Sequence, residues 1–140
     1  MRYDTERDFA PITLVAQLPI VAVVHPSVPA RNVAELVALA RRKPNMLSTG
    51  SSGPGASQSL ATALFEAATG IKLLYVTYSG SATMMPDLLS GRIDMAFDAM
   101  VSVAPFIRTG ALRPIGISTE KRSRALPDVP TLREAGVPGY

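Results

Sequence analysis

Short apolar runs alternate with amphipathic stretches along the chain of 140 residues. The runs are four to six residues long, rich in β-branched side chains and bounded by turn residues, a pattern typical of buried strands. They predict strands at 12–17, 20–25, 46–49, 73–77, 93–97 and 113–118. Pro19 separates the first two of these strands.

The clearest helix has apolar residues at i, i+3, i+4 and i+7, namely Val33, Leu36, Val37 and Ala40. Asn32 is the predicted N-cap of this helix, with Glu35 at the capping-box position. Pro44 prevents the helix from continuing.

Further helices are predicted at 60–68, ended by Gly70, and at 81–89 and 101–108, and residues 131–135 are predicted to form a last helical turn, ended by Gly136. Pro86 removes one internal hydrogen bond from the helix at 81–89 unless the helix starts there.

Alternating strands and helices predict an α/β fold, with a mostly parallel sheet flanked by helices and joined by right-handed crossovers. The length suits one domain, residues 1–140. In such sheets, ligands bind beyond the carboxyl ends of the strands. The loop from Gly50 to Gly55 lies at that edge.

This glycine- and serine-rich loop leads from a strand into a helix, so its backbone N–H groups lie at the positive end of a helix dipole. Ser51, Ser52 and Ser57 are candidate hydroxyl donors, and Gly53 and Gly55 let an anion approach the backbone. The pattern indicates a carboxylate or phosphate site. A simple connection that needs positive φ would have the same composition, and the loop alone leaves both interpretations open.

Asp98 directly follows a predicted buried strand at the same edge. Its carboxylate is suited to accept a hydrogen bond from a ligand ammonium or hydroxyl group. It is equally suited to cap the helix that begins near Val101, and the sequence does not separate the two roles.

Nucleotide hydrolysis is disfavoured by the same loop. The spacing Gly50-x4-Gly55-Ala56-Ser57 resembles a phosphate-binding loop, but Ala56 stands where the lysine of that motif belongs. Without that charge, much of the stabilisation of the phosphoryl-transfer transition state is lost.

Other catalytic and metal chemistry also lacks support. The single histidine, His25, lies between an apolar strand and Pro26, and there is no Gly-x-Ser-x-Gly elbow, so no catalytic residue is assigned. The chain has no cysteine, and Glu66, Asp94 and Asp98 do not have metal-ligand spacing. We therefore expect no enzyme activity, no metal and no cofactor.

Charge and composition change this picture little. The content is 47% hydrophobic and 18% charged, and the net charge is +3, a mild bias towards anionic partners. Basic residues are scattered apart from two short clusters, and aromatic residues lie within apolar runs, so nucleic-acid binding is not expected. The charged start lacks the apolar run of a secretory signal, which fits a mature or expressed fragment or a cytoplasmic protein.

Several strings of residues follow one another in a characteristic order along the chain. They are Tyr3-Asp4, Asp8-Phe9-Ala10-Pro11-Ile12, Leu36-x2-Leu39-Ala40, Ser51-Ser52-Gly53-Pro54-Gly55, Tyr78-Ser79-Gly80-Ser81-Ala82, Asp87-Leu88-Leu89-x-Gly91-x-Ile93-Asp94, Phe97-Asp98 and Glu134-Ala135-Gly136-x-Pro138-Gly139-Tyr140. A further string, Lys121-Arg122-Ser123-x-Ala125-Leu126-Pro127-Asp128-Val129-Pro130-Thr131, is more specific than the glycine loop. From end to end, this order of segments resembles the Bug-type receptors of tripartite tricarboxylate transporters.

The resemblance implies a periplasmic receptor with two α/β lobes hinged like a flytrap, which delivers a small carboxylate to the membrane permease subunits of an uptake transporter. This chain corresponds to the second lobe, and the first lobe comes from sequence on both sides of it. The resemblance further implies that the ligand carboxylate sits between two backbone loops, one from each lobe, and that the second-lobe loop corresponds to residues 51–57, with further residues lining the cleft. The predicted ligand-binding residues are Ser51, Ser52, Gly53, Gly55, Ala56, Ser57, Tyr78, Ser79 and Asp98.

Three departures from the family pattern leave the identity of the carboxylate open, because the family commonly has His near Ser59, Lys at Ser79 and Asn at Ala99. Two rival interpretations remain: a small cytoplasmic α/β nucleotide- or phosphate-binding enzyme, and an interaction domain without a ligand. For an isolated lobe we expect weak carboxylate binding. We also expect self-association through apolar residues near the hinges, such as Phe9 and Tyr140.

Overall fold

Helices and strands alternate along the part of the chain that the structure describes, residues 4–13 and 16–140 of a computed structural model. The helices are α1 (Thr5–Asp8), α2 (Val33–Arg42), α3 (Ser57–Thr69), α4 (Ser81–Leu89) and α5 (Met100–Arg108). The strands are β1 (Ile20–Val24), β2 (Ser48–Ser51), β3 (Leu74–Thr77), β4 (Met95–Ala99) and β5 (Arg113–Ile117).

The strands form one mixed sheet in the order β3-β2-β4-β1-β5. Strand β2 pairs in parallel with β3 and β4, whereas β1 pairs antiparallel with β4 and β5. Four strands therefore share one direction and β1 runs against them, a reversal that the predicted, mostly parallel sheet did not include. Because Ile20 pairs with Ala99, β1 begins at the edge where β2 and β4 end.

Both faces of the sheet are covered by apolar side chains. On one face, Phe65 of α3 and Phe97 of β4 are fully buried, with ring centroids 5.3 Å apart. On the other face, Met84 and Leu88 of α4 pack with Val103 of α5. Burial of each such large side chain contributes roughly 1.5–3 kcal/mol to the free energy of folding. This burial holds α3 against one face of the sheet, and α4 and α5 against the other face.

The predicted ends of α2 and α3 are confirmed. The side chain of Asn32 accepts a hydrogen bond from the backbone N–H of Glu35, and Glu35 Oε2 accepts one from the N–H of Arg31. Helix α3 ends at Thr69 and its C-cap is Gly70, which has a left-handed backbone (φ 69°) and donates its N–H to the carbonyl of Glu66. This conformation is one that glycine adopts without steric cost.

Strands β2 and β4 begin two residues later than predicted. Side-chain bonds hold the residues around their starts, because Asp94 Oδ2 accepts from both the N–H and the hydroxyl of Ser48, each at 2.7 Å. Met46 is 65% exposed and lies before this contact. At its other end, β2 extends to Gly50 and Ser51, beyond the predicted end at residue 49. The loop therefore begins at Ser52.

One predicted strand is wrong. Residues 12, 13, 16 and 17 form no strand and are exposed, because no neighbouring strand pairs with them; residues 14 and 15 of that prediction lie outside the described part. The single helical turn predicted at 131–135 is found, because the N–H of Ala135 donates to the carbonyl of Thr131 over 2.9 Å and Gly136, with φ 89°, ends the turn. Thr131 also forms a bridge with Ile117.

Among the described residues, no helix has both the length and the apolar character needed to cross a membrane.

Candidate functional site

The site is built where β2 ends and α3 begins. Ala56 is the N-cap of α3 and makes no side-chain capping bond. The N–H groups of Ser57, Gln58 and Ser59 therefore have no acceptor within the helix, and they lie at its positive end. Gly53 and Gly55 have φ values of 89° and 82°, which is the left-handed region that glycine tolerates and other residues resist.

Hydroxyl groups within the loop hold its shape. The oxygens of Ser51 and Ser59 lie 2.6 Å apart, and the N–H of Gly53 donates to Ser51 Oγ over 3.2 Å. Ser59 Oγ also donates to the carbonyl of Gly53. Ser51 is only 3% exposed, so its hydroxyl supports the loop from inside.

Asp98 is the centre of a polar cluster beneath the loop, and its side chain is 1% exposed. Its Oδ1 accepts from Gln58 Nε2 at 2.9 Å and from Ser81 Oγ at 2.7 Å. It also accepts from the N–H of Ala99 at 2.7 Å. The carboxylate thus joins the first turns of α3 and α4 to the end of β4.

The second carboxylate oxygen of Asp98, Oδ2, is buried and has no hydrogen-bond partner among the described residues, unlike Oδ1. The alternative role of Asp98 as a helix cap is wrong, because the N-cap of α5 is Ala99 and no side chain caps that helix.

Gln58 and Ser81 were not predicted as site residues. The two side chains are linked to each other, with Gln58 Nε2 lying 2.9 Å from Ser81 Oγ, and Ser52 Oγ donates to Gln58 Oε1. One sequence signal could have indicated such residues. The carboxylate of Asp98 follows a buried strand, and a buried carboxylate needs hydrogen-bond donors nearby, which Gln58 and Ser81 supply.

Tyr78 and Ser79 lie on the other side of α4's first turn. The hydroxyl of Tyr78 donates to Asp87 Oδ2 at 2.9 Å. Asp87 lies six residues beyond Ser81 in α4, so the Tyr78 hydroxyl is directed along α4 and away from the loop. Burial and this bond raise the pKa of Tyr78. Ser79 is exposed, with its hydroxyl oxygen 3.1 Å from Thr83 Oγ1.

A groove of about 480 Å³ opens beside the loop, between α3 and the edge strand β3. Tyr75 closes one part of it, with its hydroxyl donating to Glu66 Oε2 at 3.0 Å. Burial, and then the hydrogen bond and the negative charge of Glu66, raise the pKa of Tyr75 to about 12. The groove is lined by Ser51, Gly53, Pro54, Gly55, Ser59, Leu60, Ala63, Tyr75 and Thr77.

His25 lies far from this site. It follows β1, which runs away from the loop edge, and its Nδ1 is 2.7 Å from Ser27 Oγ. No group of three or more metal-ligating side chains occurs in the described ranges.

Comparison with known proteins places these features in a family. The model of the tripartite tricarboxylate transporter family receptor matches residues 1–140. Among curated relatives, the UPF0065 protein in the tcbD-tcbE intergenic region of Pseudomonas sp. (strain P51) is 40% identical over 139 residues, which cover 99% of this chain and 41% of that protein. Protein BugT of Bordetella pertussis is 30% identical over 138 residues, 99% of this chain and 42% of BugT. The chain therefore spans about two fifths of the length of these relatives.

Solved structures agree with the sequence matches. A structure described as R. palustris Rpa4515 with adipate has a TM-score of 0.88 and 39% identity, over 99% of this chain and 46% of the other. MatC from Rhodopseudomonas palustris with bound malate has a TM-score of 0.88 and 26% identity, over 99% and 47%. The periplasmic binding protein BugD has a TM-score of 0.83 and 29% identity, over 87% and 41%. The chain therefore belongs to the family of tripartite tricarboxylate transporter receptors, as the resemblance of its strings implied.

Proposed function

We propose that this chain is the second lobe of a two-lobed periplasmic receptor, and that the whole protein captures a small carboxylate for a tripartite uptake transporter. The chain matches the family over its full length, yet it covers only 41–42% of BugT and of the Pseudomonas relative. A partner lobe from the remaining sequence accounts for that difference. The family name implies the membrane permease subunits as partners.

The observation that carries the proposal is the start of α3. Three consecutive N–H groups without helical acceptors, at Ser57, Gln58 and Ser59, suit an anionic oxygen. The neighbours with adipate and malate are described with dicarboxylates. We assign the same class of ligand to this chain, with one carboxylate at the start of α3.

The predicted site residues take different parts in this proposal. Gly53 and Gly55 shape the loop, Ala56 precedes the free amides, and the exposed Ser57 adds a hydroxyl donor. Ser51 and Asp98 are buried and support the loop from within. Ser52 and Ser79 are accessible to a ligand at the edge, whereas the hydroxyl of Tyr78 is held by Asp87.

The receptor works by binding and release, without chemical turnover, a metal or a cofactor. Ala56 at the lysine position of the phosphate-loop pattern and the remote His25 favour this over a phosphate-binding enzyme. Nucleic acid is not proposed as a partner, because none of the described residues that line the groove beside the loop is basic.

Calorimetry on the full-length protein tests the proposal. We expect micromolar or tighter binding of a dicarboxylate such as adipate or malate, and none of ATP or inorganic phosphate. Ser57→Ala should weaken dicarboxylate binding about 10- to 150-fold, because a hydrogen bond to a charged group contributes roughly 1.5–3 kcal/mol. Ser90→Ala, at the far end of α4, is the matched control. Binding of ATP in place of carboxylates, or turnover of ATP, would overturn the proposal.

The isolated lobe provides a second test. It lacks the donors of the other lobe, so its affinity should fall to the millimolar range, on the order of 4 kcal/mol of binding free energy. Micromolar binding by the 140-residue chain alone would show that the site is complete within one lobe.

A further inference from the structure

Ser51, Ser52 and Ser57 were predicted as donors to an anion, but the polar cluster fixes the directions of the hydroxyl hydrogens of Ser51 and Ser52. We propose that Ser52 meets the ligand as a hydrogen-bond acceptor, and that the receptor therefore prefers carboxylates with a hydroxyl or ammonium group on the adjacent carbon. This inference rests on the proposed carboxylate function.

The direction is set at Asp98. Its Oδ1 receives the N–H of Ala99, which can only donate, at 2.7 Å. That oxygen is consequently an acceptor. The side chain of Gln58 lies 2.9 Å away and must present its NH₂ group to Oδ1.

The amide of Gln58 then determines the state of Ser52. With Nε2 directed to Asp98 and Ser81, its Oε1 faces Ser52 and can only accept. The hydroxyl hydrogen of Ser52 is therefore committed to Gln58. Ser52 is only partly buried, so the lone pairs of its Oγ remain available at the edge of the site.

The neighbouring serines are committed in the same way. Ser81 donates its hydrogen to Asp98, and Ser59 donates its hydrogen to the carbonyl of Gly53. Ser51, 2.6 Å from Ser59, must then donate to Ser59. None of these four serine hydroxyls has a hydrogen left for a ligand.

The cluster has unused acceptors instead. In addition to the lone pairs of Ser52, Asp98 Oδ2 is buried without a partner among the described residues. A cluster that already contains such an acceptor has a shortage of donors. A carboxylate oxygen facing Ser52 would add another acceptor, whereas a hydroxyl or ammonium group would supply a donor.

The site therefore offers two chemically different parts to one ligand. The amides at the start of α3 and the hydroxyl of Ser57 suit the carboxylate. Ser52 suits a donor on the next carbon, so 2-hydroxy and 2-amino acids match both parts and the unsubstituted acid matches one.

Calorimetry on the full-length receptor with matched ligands tests this. The four-carbon series is succinate, malate, aspartate and 2-methoxysuccinate, and the six-carbon pair is adipate and 2-hydroxyadipate. We expect the hydroxy or amino acid to bind about 3- to 10-fold more tightly than its unsubstituted partner, the size of one net hydrogen bond. The methoxy compound keeps the oxygen but has no hydrogen to donate, so it should bind no more tightly than succinate.

Variants assign the effect to Ser52. In Ser52→Ala, the affinity ratio of hydroxylated to unsubstituted ligand should fall towards one, and Ser52→Thr, which keeps the hydroxyl, should restore it. Ser90→Ala is the matched control and should keep the wild-type ratio. Equal binding within each ligand pair, or a ratio unchanged in Ser52→Ala, would overturn this inference and leave the carboxylate function standing. Absence of binding by every ligand would overturn both.

Discussion

The sulfur of Met84 occupies the space in which a side chain at Gly50 would begin. A Cβ atom at residue 50 would lie 2.3 Å from Met84 Sδ and 2.9 Å from Ile93 Cδ1. Helix α4 can therefore approach β2 closely only because residue 50 is glycine. The position just before the loop is thus held by packing as well as by hydrogen bonds.

Gly50→Ala should lower the free energy of unfolding by about 1–3 kcal/mol, the usual effect of overpacking a well-filled core. Chemical denaturation measures it. Combining Gly50→Ala with Met84→Ala should destabilise less than the sum of the two single changes, because the smaller side chain at 84 relieves the clash. Strict additivity would show that the two residues do not compete for the same space.

Asp98→Ala should lower the free energy of unfolding by about 1–3 kcal/mol, because it leaves the side chains of Gln58 and Ser81 without their shared acceptor. The same change should weaken carboxylate binding by the full-length receptor, since the first turn of α3 loses its anchor. Denaturation and calorimetry measure the two effects. Asp128→Ala, at an exposed carboxylate, is the control and should change neither.

Stability should decrease at alkaline pH partly through Tyr75. Its pKa is raised from 10.0 to about 12 in the folded protein, so below pH 10 the phenol is neutral in both states. As the pH rises above 10, the unfolded state ionises first and the free energy of unfolding falls until the folded group also ionises. Tyr75→Phe should make this decrease shallower between about pH 10 and 12, and an unchanged slope would contradict the assignment.

Glu134 should give the opposite pH dependence. Hydrogen bonds from the N–H of Thr131 and from Arg122 lower its pKa below the usual 4.5. The stabilisation is present above pH 4.5 and is lost as the pH falls through the folded pKa. Glu134→Gln should therefore unfold more easily than wild type at pH 7, with the difference narrowing under acid conditions. Thermal unfolding at pH 7 and pH 3.5 compares them, and an equal gap at both values would refute this.

Self-association of the isolated chain should involve α3. Leu60 and Leu64 are 60% and 51% exposed on this helix, and Phe9 is 58% exposed. Tyr140 is only partly exposed, because its hydroxyl donates to the carbonyl of Ala61 and its ring lies near that of Phe97. Sedimentation should show association that weakens in Leu60→Lys, with Lys43→Glu on the α2 terminus as the charge-change control.

Local signals predicted local structure well. The cap formed by Asn32 and Glu35, and the helix end at Gly70, depend on residues within four positions of each other, so the sequence pattern contains all of their partners. The family strings identified the family because their order extends along the whole chain.

Long-range pairing was not predictable in the same way. An apolar run such as 12–17 becomes a strand only when a neighbour pairs with it, and the run itself does not show whether that neighbour exists. The direction of β1 is likewise set by its partners. The contact of Gln58 with Asp98 spans 40 positions, and no periodicity connects two such distant polar residues.

The reversed direction of β1 also determines where a reporter group can be attached. The chain enters the sheet at Ile20 and leaves it after Ile117 at the same edge as the serine loop. The turns at Lys43 and Gly110 belong to the opposite end of the sheet, because they precede the starts of β2 and β5. A fluorophore or an inserted tag at those turns is therefore insulated from the ligand edge. A fluorophore placed beside Pro19 or Ser118 lies where the chain enters and leaves the sheet, at the same edge as the serine loop. It would report any movement of that edge.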